Sequence, residues 1–78
     1  MVKSNTNRED KMTKRSQDNA RRFIHAALRG TPRQQDAIES EFGAPLCMLL
    51  DDAWFEADLA GLRFLAQQCE SAYRRLTE

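Results

Sequence analysis

The sequence predicts an all-α fold, a small helix-turn-helix-like bundle of three to four helices with a long C-terminal helix. Three observations lead there. Apolar residues recur at helical spacing from Ala20 to Leu76, and no segment alternates with the period of two that a half-buried strand shows. Gly30 and Gly43 stand where helices end, and Thr31-Pro32 where one begins. The chain of 78 residues has room for one small domain.

Residues 1–16 contain only Met1, Val2 and Met12 as apolar side chains. That is too little burial to offset the entropy of ordering, so they read as a disordered, basic N-terminal arm. Residues 17–78 then form the domain. Ala20, Ile24, Ala27 and Leu28, with Phe23 beside them, fall on one face of a first helix. Gly30 ends that helix, with Arg29 in the last turn, where a cation complements the macrodipole.

Thr-Pro-Arg-Gln at 31–34 supplies an N-cap, a proline at the first helical position and a capping-box partner. The second helix runs to about Phe42, burying Ile38 and Phe42, with Gly43 at the left-handed cap. Pro45 pushes Ala44 out of helical geometry, so this helix cannot run through it. Ala44 to Asp52 is an apolar run with one or two helical turns at most, and Asp51 or Asp52 is the expected N-cap of the next helix.

The last segment carries Phe55, Leu59, Leu62, Ala66, Cys69, Tyr73 and Leu76, spaced alternately by four and three. That stripe predicts one helix from about Asp52 to Leu76, forming the spine of the core. It fits a monomer and a dimer equally. Gly61 inside it costs roughly 1 kcal/mol relative to alanine, or marks a break.

Composition narrows the function. Twelve Lys and Arg balance twelve Asp and Glu, which excludes a uniformly basic nucleic-acid binder. No stretch approaches the ~18 apolar residues of a membrane span. The first nineteen residues lack an apolar signal core, so a cytoplasmic protein with reduced core thiols at Cys47 and Cys69 is expected. His25 is the lone histidine. One His and two distant Cys do not make a metal set, and no nucleophile–base pair or phosphate-binding glycine loop is present, so neither an enzyme nor a cofactor is expected.

The neutral total conceals a split. Residues 1–33 hold nine bases against three acids. Residues 34–62 hold seven acids and no base: Asp36, Glu39, Glu41, Asp51, Asp52, Glu56 and Asp58. Asymmetry of this kind speaks of partners.

The segments GTPRQQDAIESEFG and SAYRRL resemble the extended-turn variant of the helix-turn-helix, a family carried on bacterial mobile elements. Thr31, Arg33, Ile38, Phe42, Gly43, Tyr73, Arg74, Arg75 and Leu76 carry the resemblance, which spans about residues 20–77. It implies a non-catalytic transcriptional regulator. DNA-binding members are arginine-rich along the helix that corresponds to Asp52–Gln68. Here that stretch has Arg63 as its only base. Acids in its place repel a phosphate backbone. The resemblance then implies an antiactivator that binds a transcriptional activator, either one of a mobile element or a LuxR-type quorum-sensing regulator. A direct DNA-binding repressor, using the basic arm in a groove, is the alternative.

The expected partner-binding residues are Trp54, Phe64, Leu46, Met48 and Leu49 as an apolar patch. Asp51, Asp52, Glu56 and Asp58 form its acidic rim, which steers a basic partner. Phe64 lies about 200° round the helix from Leu62 and so points away from the core stripe.

Overall fold

In a computed structural model, which describes residues 12–78, the chain forms four helices and, among those residues, no strand. They are α1 (Lys14–Arg29), α2 (Pro32–Phe42), α3 (Leu46–Leu59) and α4 (Arg63–Thr77). Residues 1–11 of the expected arm lie outside the described residues. α1 and its cap begin at Thr13, inside the span that the sequence reads as arm. Thr13 caps α1, its hydroxyl accepting from the Ser16 amide at 3.0 Å, and Met12 is buried against the core.

α2 forms as its signals predict. The Thr31 hydroxyl accepts from the Gln34 amide at 3.2 Å, and the Gln34 side chain accepts from the Thr31 amide at 2.9 Å. Gly43 closes the helix at φ 70°, in the left-handed region that suits glycine. However, α2 has no fully buried side chain, since Ile38 and Phe42 are only half-buried. It is held to α1 by edge-to-face packing of Phe42 on Phe23, with centroids 4.9 Å apart, and by a paired Arg22–Glu41 fork at 2.7 and 3.1 Å. The Arg22 hydrogen bond holds the Glu41 carboxyl below its ordinary range, and Glu41 raises Arg22 in turn. The contribution of this exposed pair is present above the ordinary carboxylate pKa and is lost as pH falls through the lowered one.

The expected helix over 52–76 is two helices. α3 starts at Leu46, immediately after Pro45, so Asp51 and Asp52 sit inside it and cap nothing. Its first amide, on Leu46, donates to the Glu39 carboxylate of α2 at 2.7 Å, so the anion that α3's N-terminus favours comes from across the turn. α3 ends in a Schellman motif, with Leu62 N–H on the Ala57 carbonyl at 2.8 Å and Gly61 N–H on Asp58 at 3.1 Å. Gly61 has φ 79°, and the chain reverses there to send α4 back along α3.

The core lies between α1, α3 and α4. Its members include Ala20, Ala26 and Ala27 from α1, Ala53 and Ala57 from α3, and Ala66, Cys69 and Ala72 from α4. Leu46 and Leu50 fill the space these small residues leave. Three of the seven expected spine residues are therefore absent from the core: Phe55 and Leu59 are 56% and 63% exposed, and Tyr73 is also exposed. On α4 the buried set is instead Leu65, Ala66, Cys69 and Ala72, with Leu76 packed at its edge.

This packing sets two expected outcomes. Gly61→Ala lowers stability by about 1 kcal/mol, because a Cβ there has open space but an unfavourable positive φ. A continuous helix would gain a similar amount, so chemical denaturation separates the two by sign. Burial pushes the Cys69 thiol up to about 11. Cys69 is fully buried and Cys47 is half-buried. A thiol reagent at neutral pH therefore labels Cys47 first, with Cys69 protected until unfolding. The Cys69 contribution to stability is full below the ordinary thiol range and is lost as pH rises through about 11.

Candidate functional site

Helical geometry sets the face that α3 leaves free. With ~100° between successive residues, Leu46, Leu50, Ala53 and Ala57 share the inward face. Met48, Phe55 and Leu59 line up on the opposite face. All three are more than half exposed. Asp51 and Asp58 flank this apolar row on one side, Asp52 and Glu56 on the other, and all four are exposed. The result is an apolar ridge between two rows of carboxylates, on a helix with no Lys or Arg.

The expected site residues divide accordingly. Met48, Asp51, Asp52, Glu56 and Asp58 share the free face. Leu49 and Trp54 are half-buried at its two margins, each packed in part against the core. Leu46 is a correction: at 1% exposure it is a core residue, because it opens α3 one turn before Leu50 on the inward face. Phe64 is 73% exposed, as its position on the helix predicts, but it stands elsewhere. It borders an open groove of about 490 Å³ between α1 and α4 with Arg21, Ile24, His25, Leu28, Arg29 and Gln68. That groove contains no α3 residue, so Phe64 is not part of the acidic face.

Phe55 and Leu59 belong to the site, although the four-and-three stripe assigns them to the core. The signal that finds them is present: if Leu46 to Leu59 is taken as one helix, Met48, Asp52, Phe55 and Leu59 share a face. The same reading finds the rival stripe Leu46, Leu50, Ala53 and Ala57.

Charge is sorted by helix. α1 carries Lys14, Arg15, Arg21, Arg22 and Arg29, whereas α3 carries Asp51, Asp52, Glu56 and Asp58. Among the described residues, no three His, Cys, Asp or Glu side chains come together as a metal site requires. Nor is any helix among them long and apolar enough to cross a membrane.

Among the described residues, the fold and this face define a small helical domain with an α3 surface that no other helix covers. No family model, curated protein or solved structure matches the chain.

The split between the faces of α3 has a direct consequence for stability. Leu50→Ala costs about 2–5 kcal/mol, as a fully buried leucine in a tight core does. Phe55→Ser and Leu59→Ser each stay within about 1 kcal/mol of the parent. Urea unfolding of the three variants checks this, and a reversed order would place the core on the other face.

Proposed function

We propose that this chain is a transcriptional antiactivator of the QseM type, a non-catalytic cytoplasmic domain that binds an activator protein and holds it inactive. The target is the activator of a mobile element or a LuxR-type quorum-sensing regulator. The outcome is a block on excision and transfer of a conjugative element. The domain acts by occupying a docking surface in place of a domain it resembles, and not by binding DNA.

The observation that carries this reading is the α3 face. An apolar row of Met48, Phe55 and Leu59 favours a protein surface, since apolar burial drives such association. Carboxylates on both sides repel a phosphate backbone and speed encounter with a basic partner. The resemblance of the Thr31–Gly43 and Tyr73–Leu76 segments to the extended-turn helix-turn-helix family supplies the regulatory context.

The alternative, a direct DNA-binding repressor, draws on the bases of α1: Lys14, Arg15, Arg21 and Arg29. The two readings part in one experiment. Tagged protein is co-purified from its host, and the recovered activator's affinity is measured for wild type and for Glu56→Lys/Asp58→Lys. Both positions are exposed, so the variant keeps its fold. Expected are recovery of an activator, affinity that falls with salt, and a loss of about tenfold or more in the double reversal. A mobility shift at low salt with promoter DNA is expected to show no selective complex. Tight, salt-sensitive, sequence-selective DNA binding would sink the antiactivator reading.

A further inference from the structure

At the end of the α3–α4 hairpin away from Gly61, a cleft of about 190 Å³ opens between the two helices, lined by Leu50, Asp51, Trp54, Glu70 and Tyr73. Its volume is that of about six waters, too small for a helix and enough for one long side chain. The lining has a consistent chemistry. Leu50 is a fully buried apolar floor. Trp54 and Tyr73, one from each helix, supply two aromatic walls. Asp51 and Glu70, again one from each helix, supply two carboxylates, and no base lines the cleft.

We propose that this cleft is a socket for a single arginine side chain presented by a protein partner. Each lining group suits a guanidinium. Its flat, weakly hydrated face stacks on tryptophan and tyrosine, and its fork of N–H donors pairs with carboxylates. The aliphatic stem lies on Leu50. A lysine ammonium is a compact, strongly hydrated point charge, and makes poorer use of two aromatic walls and two separated carboxylates. Glu70 already accepts a guanidinium: Arg74, one turn along α4, donates to it at 2.9 Å. Both partners of that i,i+4 pair are well exposed, so the bond is weak and replaceable. Asp51 takes part in none of the ion pairs among the described residues. One carboxylate is therefore open, and the other is guarded by a competitor from the chain itself.

The socket deepens the proposed function, because it names one contact by which the activator is gripped, and it rests on that reading for the partner's identity alone. Trp54 borders both the cleft and the acidic face of α3, so an arginine held here aligns a basic partner along Met48, Phe55 and Leu59.

The test uses small probes and the full chain. N-acetyl-arginine methylamide is titrated into isotope-labelled protein, with its citrulline counterpart as the neutral isostere and its lysine counterpart as the point charge. Trp54 is the sole tryptophan, so its fluorescence reports on the site directly. A saturable change is expected for arginine, with amide shifts clustered on Leu50, Asp51, Trp54, Glu70 and Tyr73. Citrulline binds about tenfold more weakly and lysine falls between them. Asp51→Asn and Tyr73→Leu each weaken arginine binding without unfolding the chain, as both positions are exposed. Arg74→Gln strengthens it by freeing Glu70. Equal responses to arginine and citrulline, shifts spread over all of α3, or no gain in Arg74→Gln would overturn the socket. If the socket variants leave activator affinity unchanged while Glu56→Lys/Asp58→Lys abolishes it, the inference fails and the proposed function stands.

Discussion

The structure depends on α3 closing against α4 through small side chains. Ala53 and Ala57 face Ala66, Cys69 and Ala72, all nearly or fully buried. Small residues let the two helices approach closely, and the Schellman turn at Gly61 sends α4 back along α3. Leu46 and Leu50 then fill the space next to α1. A core of this kind has little tolerance for added volume, because overpacking forces side chains off their rotamers. From the hairpin it takes in Leu46, Leu50 and Leu65. Met48, Phe55 and Leu59 fall on the outward face of α3 and Phe64 on that of α4, because the opposite faces are the ones packed inside.

Electrostatics obey the same division. α1 carries five bases against the single acid Asp18, and α3 carries four acids and no base. Where they meet across helices they serve structure: Arg22 forks onto Glu41 to pin α2, and Glu39 caps the start of α3. The four carboxylates around Met48, Phe55 and Leu59 have no such structural duty as caps. Exposed charges contribute little to folding. They have much more leverage on which surfaces approach and which are repelled. On the proposed reading, the acidic face is therefore the surface that selects the partner.

Legibility differed between elements for identifiable reasons. The boundaries of α2 were readable because a capping box, a proline and a glycine act locally. α1 was readable in its apolar face but not in its start, since Thr13 and Ser16 offer a weaker local signal than a capping box. The acidic residues of the site were readable from charge alone. Phe55, Leu59 and Tyr73 were not, because a run of fours and threes fits any apolar stripe on any helix. Leu46 was misplaced for the complementary reason. With α3 divided at Asp52, its alignment with Leu50, Ala53 and Ala57 was hidden.

By itself, the sequence determined the helical class, the second helix with both its ends, the neutral total and its division into basic and acidic segments. Each of these rests on residue type and near-neighbour spacing. Only the tertiary structure decided which of two opposed stripes on α3 is the core. Hydrophobicity favours the stripe with phenylalanine and leucine, whereas close approach of helices favours the one with alanine, and that competition is settled between helices. The same decision broke the C-terminal helix at Gly61, turned an expected spine into an exposed ridge, and brought Trp54 and Asp51 beside Tyr73 and Glu70, far apart in the chain, to form one cleft.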